Sequence, residues 1–313
     1  MSAWPVRRSL IALVALAFVA LAFVALVALI ACAPPERGAA PILTVDDFGD
    51  TVRFVPPARR VVSLNPVTTE LIFALGFGDR LVGRTRWDLF PEAARAVPDV
   101  GDGMKPNVEA VLGQRPDLVL LYASATNRVA AQQLQAAGVP TLTLRTDRVA
   151  DLARIAPIVG AALGDRARGV FVADTVDASL ATVRALSRRG APRGGAPCRV
   201  FWHIYESPLM TIGAGSYLSE LLVIAGVENS FGDLRAPSPQ VSLEEVARRD
   251  PYAILASPTS AATIRASSAW QSVRAVREGR VLVYDTTLVG RPGVRMGEAA
   301  RHLRALIRGD SLR

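Results

Sequence analysis

A pair of similar segments, one in each half of the chain, constrains the fold more than any other feature. Residues 107–120 (Asn-Val-Glu-Ala-Val-Leu-Gly-Gln-Arg-Pro-Asp-Leu-Val-Leu) align without gaps with residues 242–255 (Ser-Leu-Glu-Glu-Val-Ala-Arg-Arg-Asp-Pro-Tyr-Ala-Ile-Leu). In each segment a helix-capping residue is followed by a Glu two positions later, then by a proline and an apolar run typical of a buried strand. A second pair, 70–76 and 220–226, runs from a Glu to a Gly and occurs in the same order. Two repeats in register predict two similar lobes.

Short apolar runs alternate with helical sequence in both halves. Such alternation is typical of α/β lobes with largely parallel sheets. Residues 165–188 contain no proline and form a helical pattern about 36 Å long at 1.5 Å per residue. We therefore expect an N-terminal α/β lobe (58–163), a linking helix (164–190) and a C-terminal α/β lobe (197–313). The runs predicted as strands are 60–64, 117–122, 140–144, 199–204, 252–256 and 281–284, and 67–75 is predicted as a helix that ends before Gly76.

The N-terminus predicts export. Arg7 and Arg8 precede an uncharged apolar run, 10–31, as in a secretory signal. The sequence Leu-Ile-Ala-Cys at 29–32 resembles the bacterial lipobox, so we expect residues 1–31 to be removed and Cys32 to carry a lipid, followed by a tether, 32–57. Because the run is long enough to span a bilayer, an uncleaved signal anchor is the alternative. Both place the rest of the chain outside the cytoplasm.

Composition argues against several classes of function. The 36 Lys and Arg residues exceed the 28 acids, but a single Lys, Lys105, is present and the arginines are scattered, so nucleic acid is not an expected partner. Two His and two Cys are too few for a zinc cluster or a disulfide framework. With Cys32 lipidated, Cys198 is expected to be a buried thiol. No nucleophile elbow, Walker loop or His-Glu-x-x-His motif occurs, so no catalytic or metal-ligating residue is assigned.

Five motifs in order resemble those of a known family. They are 62–70, 106–120, 215–226, 240–244 and 291–295, and through them the chain from about residue 59 resembles the cobalamin, ferric-siderophore and haem substrate-binding proteins of ABC importers. The resemblance implies two Rossmann-like lobes with central parallel sheets, bridged by one long helix, with the ligand in a cleft between them. It also implies a membrane-tethered receptor that delivers a cobalt or iron chelate to an ABC permease dimer and its ATPase. Such a receptor has no enzymatic activity and no cofactor of its own.

The cleft residues are expected in loops at the carboxyl ends of the strands, where open α/β sheets bind ligands. Aromatic faces with arginine donors there suit a large, partly apolar ligand that carries carboxylate, amide or phosphate groups. The candidates are Asn65, Arg84, Arg86, Trp87, Phe90 and Tyr122 in the first lobe and His203, Tyr205, Glu206, Arg291 and Arg295 in the second.

The resemblance refines this set. Trp87, Tyr122 and Arg291 match positions that often contact the corrinoid in cobalamin-binding relatives. Gly103 and Ser238 stand where those proteins can carry tryptophans, and this departure argues against cobalamin specifically. Tyr122, His203 or Tyr205 are the candidates for an axial haem ligand. A lone His after a strand is also typical of a structural, hydrogen-bonded residue, so both roles stay open for His203.

Glu109 and Glu244 occupy equivalent positions in the repeated segments. Each falls in the first turn of a predicted helix, where the helix dipole favours a carboxylate, and this alone explains a Glu there. The resemblance implies that they dock into arginine pockets on the two permease subunits. Duplicate glutamates on duplicate lobes suit a partner with two-fold symmetry.

Two other classes of function remain open at this stage. One is an enzyme on a bilobal α/β scaffold, such as a tetrapyrrole chelatase. The other is a ligand sensor without a transport partner.

Overall fold

The computed structural model describes residues 40–189 and 198–308, apart from the side chain of Arg189. The predicted leader, Cys32 and the Gly/Pro-rich segment 190–197 lie outside these residues. The strands are β1 (Ile42–Val45), β2 (Thr51–Phe54), β3 (Val61–Ser63), β4 (Leu81–Gly83), β5 (Leu118–Tyr122), β6 (Thr141–Leu144), β7 (Arg199–Trp202), β8 (Tyr205–Glu206), β9 (Leu209–Met210), β10 (Glu228–Asn229), β11 (Ala253–Ala256) and β12 (Val281–Val283).

The helices pack around these strands. They are α1 (Pro66–Ala74), α2 (Val108–Gly113), α3 (Arg128–Ala136), α4 (Asp151–Ala162), α5 (Arg166–Arg189), α6 (Tyr217–Ile224), α7 (Leu243–Arg249), α8 (Pro258–Ala266), α9 (Arg274–Arg277), α10 (Thr286–Val289) and α11 (Met296–Arg308). Short 3₁₀ turns lie at Gly78–Arg80, Glu92–Ala96, Ala125–Asn127 and Ala269–Ser272.

Each lobe is built on a parallel four-stranded sheet. The order is β4-β3-β5-β6 in the first lobe and β10-β7-β11-β12 in the second. All six strands predicted from apolar runs are present, with ends shifted by at most two residues. The additional strands β4 and β10 lie at sheet edges and are too short to give a sequence pattern. The predicted fold, two α/β lobes with parallel sheets and one long helix, is confirmed.

Residues 42–54 fall within the segment predicted as a tether but form an antiparallel hairpin, β1–β2. Asp46 closes its turn by accepting the backbone N–H groups of Phe48 and Asp50, both at 2.9 Å. The N–H of Asp47 donates to the carbonyl of Thr143 in β6 at 3.0 Å, and Val52 and Phe54 are buried. The first lobe therefore includes a hairpin within the segment predicted as a tether, because the Pro- and Ala-rich stretches lie on either side of residues 42–54 and not within them.

Helix α5 joins the lobes through a single continuous core. Its buried residues Ala173, Val176, Leu180 and Val183 follow helical spacing, and they pack in one apolar cluster with residues of both sheets. A Cβ atom on Gly169 of α5 would overlap the carbonyl oxygen of Ala156 in α4. The backbones of α4 and α5 therefore cross in direct contact.

The sequence repeat 70–76 and 220–226 corresponds to a structural repeat. Helices α1 and α6 contain the first five residues of each segment. They end before Gly76 and Gly226, whose φ angles are +78° and +79°. A Cβ atom on Gly76 would lie 2.7 Å from the Arg168 guanidinium near the start of α5, and one on Gly226 would lie 2.7 Å from the Cβ of Ser187 near its end. The two equivalent helices therefore end against opposite ends of α5.

The crossing of α4 and α5 gives a stability prediction. Gly169→Ala should lower the free energy of unfolding by about 1–3 kcal/mol, because the new methyl group forces the two helices apart. The matched control is Gly113→Ala at the end of α2, where a Cβ meets nothing within 4 Å. That variant should be neutral or up to about 1 kcal/mol more stable, since alanine is the better helix former. Urea denaturation of both variants measures this, and equal stability of the two would contradict the close contact.

Candidate ligand-binding site

A cavity of about 500 Å³ lies between the two lobes. Its first-lobe wall comes from the loops that follow the strands of the first sheet, as expected for an open α/β sheet. Its second-lobe wall comes from the loop before α6, from Pro237 and from the loop after α10. The lining residues lie at 64–67, 85, 87, 102–104, 122, 146–147, 215–217, 237 and 290–292.

Of the residues predicted from the sequence, Asn65, Trp87, Tyr122 and Arg291 line this cavity. Arg84, Arg86, His203 and Tyr205 do not. The cavity therefore brings together three candidates from the first lobe and one from the second.

Trp87 and Met104 supply apolar surface at the cavity. The Trp87 side chain is 55% exposed, and Met104 is also exposed. The indole Nε1 donates to the Asp102 carboxylate at 3.4 Å. The pKa of Asp102 is lowered, mainly by the hydrogen bond from the N–H of Met104 and to a smaller extent by this indole contact. The carboxylate is therefore charged beside the tryptophan. Lys105, the next residue along the chain, is exposed.

Asn65 is fixed by two hydrogen bonds. Its side-chain oxygen accepts the N–H of Val67 at 3.0 Å and caps α1, and its amide donates to Thr146 at 3.2 Å. In the second lobe Ser216 caps α6 by accepting the N–H of Leu218 at 3.2 Å. The first turns of the two equivalent helices thus form opposite parts of the cavity wall.

Tyr122 faces the cavity as a neutral phenol. Its hydroxyl donates to Asp147 at 2.6 Å. Burial and then this hydrogen bond raise the pKa of Tyr122 to about 12. At neutral pH the tyrosine is therefore a hydrogen-bond donor already engaged by a carboxylate.

The two arginines that do not line the cavity have local partners. Arg84 donates to the carbonyl oxygens of Thr85, Ala94 and Arg95, and so braces the segment that carries Trp87. Arg86 is exposed, and its positive charge contributes to the lowered pKa of Asp102. Arg84 acts on the shape of the loop, and Arg86 acts on the charge of a cavity residue.

His203 is a buried residue in a hydrogen-bonded network of the second lobe. Its side chain is 2% exposed, and Nε2 lies 2.8 Å from Glu206, which also accepts the Trp270 indole N–H at 3.0 Å. This arrangement matches the structural role that the sequence left open for a lone histidine. Tyr205 is exposed on the short β8–β9 hairpin.

The charged group that links the lobes beside the cavity was not predicted as a site residue. Glu70 of α1 is buried and accepts from Arg295 at 3.0 and 3.2 Å, with Arg291 at 3.5 Å. Arg291 also donates to the carbonyl of Trp87 at 2.5 Å. The only sequence signal for Glu70 was its place in the repeat. Met104, Asp102 and Asp147 were also missed, because nothing in their local sequence distinguishes them from ordinary loop residues.

Glu109 and Glu244 are exposed in the first turns of α2 and α7. The caps of these helices are other residues: Asn107 accepts the N–H of Ala110 at 3.0 Å, and Ser242 accepts that of Glu245 at 3.2 Å. Neither glutamate is therefore an N-cap residue, and both are exposed.

The described part of the chain shows neither a cluster for a metal ion nor a membrane-spanning helix. Within residues 40–189 and 198–308, no group of three or more His, Cys, Asp and Glu side chains is placed to hold a metal ion. In the same part of the chain, no helix has the length and apolar character needed to cross a membrane.

A model of the periplasmic binding protein family matches residues 61–288. The chain belongs to the periplasmic binding protein family. Vitamin B12-binding proteins of Yersinia pestis and Yersinia pseudotuberculosis are each 31% identical to it over 213 residues, which are 68% of this chain and 74% of theirs.

Solved structures of periplasmic binding proteins agree with this assignment. The vitamin B12-binding protein of Vibrio cholerae gives a TM-score of 0.70 at 25% identity and covers 82% of this chain and 99% of its own. A haem-binding protein from Pseudomonas aeruginosa gives a TM-score of 0.70 at 26% identity, with 80% and 92% covered. The predicted class, an extracytoplasmic substrate-binding protein that is not an enzyme, is confirmed.

Proposed function

We propose that this periplasmic binding protein holds a metal chelate in the cavity between its lobes and delivers it to an ABC permease dimer with its ATPase. The observation that carries the proposal is the cavity wall itself, in which the exposed Trp87 and Met104 flank fixed polar groups on both lobes. A broad apolar face with few directional donors and acceptors suits a large macrocyclic ligand. The names of the B12-binding and haem-binding relatives support the same ligand class.

Among the chelates, the cavity favours cobalamin over haem and ferric siderophores. The Tyr122 hydroxyl is engaged by Asp147 and its pKa is raised, so loss of its proton to bind iron is less favourable than for a free tyrosine. Among the described residues that line the cavity there is no His, and Arg291 is the only Arg. An amide-rich corrinoid with no net charge needs neither an axial protein ligand nor several cations.

Titration of the protein with cyanocobalamin, haemin and a ferric siderophore tests the ligand. Cyanocobalamin should bind most tightly by isothermal calorimetry. Trp87→Ala should weaken cyanocobalamin binding about 10- to 100-fold, because truncation of a central aromatic contact costs about 1–3 kcal/mol. The matched control is Phe171→Ala, which removes an exposed aromatic side chain on α5 away from the cavity. Unchanged affinity in Trp87→Ala, or tighter binding of haemin than of cyanocobalamin, would contradict this assignment.

We also propose that Glu109 and Glu244 dock the loaded protein onto the permease. Their support is their exposure, their equivalent places on the two lobes and the presence of other residues at the helix caps. In addition, its own backbone N–H and the Ser242 hydroxyl lower the pKa of Glu244, so this carboxylate is charged at neutral pH. A pair of exposed anions at equivalent positions suits a symmetric pair of cationic pockets.

The double variant Glu109→Ala, Glu244→Ala should bind cyanocobalamin like the unmodified protein but fail to support its uptake. The matched control is Glu92→Ala, Glu278→Ala, which removes one exposed glutamate from each lobe at other positions. Uptake of radiolabelled cyanocobalamin by cells with the cognate permease measures the difference. Normal uptake with the first pair would reject docking by these residues.

A lipid on Cys32 would keep the receptor near its permease, and we propose that residues 1–31 are removed and Cys32 is lipidated. The lipobox-like sequence at 29–32 supports this. The intact mass of protein extracted from membranes should correspond to a lipidated chain that begins at residue 32, and Cys32→Ser should abolish this species. A mature product that retains Met1 or Ser2 would contradict the proposal.

A further inference from the structure

Glu70 is a buried residue of the first lobe that pairs with arginines of the second lobe. Its side chain is 2% exposed, and both arginines that it pairs with, Arg291 and Arg295, belong to the second lobe. The guanidinium of Arg295 also lies 3.7 Å from the centre of the Phe90 ring, and Arg291 donates to Trp87. We call this group the Glu70 clamp.

At Glu220 the second lobe supplies the anion and the first lobe supplies the cation. Glu220 lies on α6 of the second lobe and pairs with Arg148 of the first. Its second oxygen accepts the N–H of Val149 at 2.9 Å, and Arg148 donates in turn to the carbonyl of Ala214 at 3.3 Å. We call this group the Glu220 clamp.

The two clamps are equivalent in sequence and in place. Glu70 and Glu220 are the first residues of the repeated segments, and each lies about one turn from the helix end that forms part of the cavity wall. Each glutamate therefore lies between the cavity and α5 and reaches a cation of the opposite lobe. The polarity is reversed, because one lobe supplies the anion at one clamp and the cation at the other.

The clamps differ in burial. Glu70 is almost completely buried, and its arginine partners are 21% and 15% exposed, whereas the Glu220 and Arg148 side chains are 26% and 45% exposed. Separation of the lobes at the Glu70 clamp would leave a buried charge without its partners, which is strongly unfavourable. Separation at the Glu220 clamp costs less, because solvent screens that pair.

We propose that these clamps set the width of the ligand cavity, and that Glu70 is a positioning residue that holds Arg291 against Trp87 at its wall. The lobes open first at the Glu220 clamp, and the Glu70 clamp acts as the pivot. The clamps set the cavity width in the empty protein. Their effect on ligand retention rests on the proposed function.

The distance between the lobes tests the clamps directly. Spin labels are placed at Gln132→Cys on α3 and Ala262→Cys on α8, two exposed positions outside the clamps, in the full chain with Cys32→Ser and Cys198→Ser. Double electron–electron resonance should give a narrow distribution for the parent protein. Glu220→Gln should broaden it moderately, and Glu70→Gln should broaden it more.

The matched control is Glu278→Gln, which breaks a surface ion pair within the second lobe and should leave the distribution unchanged. If Glu70→Gln does not fold, as judged by circular dichroism, then Glu70→Asp and Glu220→Gln still decide the matter. A parent-like distribution in folded Glu220→Gln together with folded Glu70→Gln or Glu70→Asp would overturn the proposal.

Ligand retention is measured separately with cyanocobalamin. Glu70→Gln should release it at least about tenfold faster, because loss of a buried charge partner acts mainly on the dissociation rate. Parent-like release from Glu70→Gln would overturn the positioning role. If the parent protein binds no cyanocobalamin, the assigned ligand fails, and the distance measurement still decides whether the clamps exist.

Discussion

The close packing of one helix against both lobes is the constraint on which the rest of this structure depends. Besides Gly169 at the crossing with α4, Gly297 of α11 lies so close to Ser179 of α5 that a Cβ atom there would overlap the serine hydroxyl. At Gly169 the neighbour is backbone and at Gly297 it is a serine side chain, and in both places a larger residue would push the helices apart. Since the apolar core continues through α5 from one lobe to the other, the lobes form a nearly rigid pair. The cavity between them is therefore largely preformed, and small changes at its edges have to admit and release the ligand.

The general fold was predictable because its determinants are local. A buried parallel strand needs an apolar run, and a long helix needs an uninterrupted helical pattern; both were readable, and α5 begins and ends within one residue of the predicted limits. The β1–β2 hairpin was not readable, because its order comes from Asp46 and Asp47 contacting Thr143, about a hundred residues away. Contacts between residues so far apart in the sequence produce no periodic pattern of apolar residues. The edge strands β4 and β10 were hidden because they contain only three and two residues.

The candidate site was predictable to the extent that topology determines it. Loops after parallel strands meet at one edge of the sheet, and this placed Asn65, Trp87 and Tyr122 on the cavity wall. Residue type alone was a poorer guide: Arg84 is hydrogen-bonded to carbonyl groups, and the buried His203 is hydrogen-bonded to the exposed carboxylate of Glu206. The role of Glu70 could not be predicted from topology or from residue type, since its partners lie 221 and 225 residues further along the chain. Only a folded chain reveals such a pair, although the repeat had already marked the position.

Lys105, the single lysine of the sequence, follows directly after the cavity-lining Met104 and is exposed. Apart from the terminal amine, an amine-directed reagent should therefore react at Lys105, next to a cavity-lining residue, since the other basic side chains are guanidinium groups that such reagents ignore at neutral pH. A dye or a surface linker coupled there would be attached one residue from the cavity lining without any engineered residue. The arginine-rich composition thus leaves a natural chemical handle, one that can report occupancy or immobilise the receptor in a single orientation.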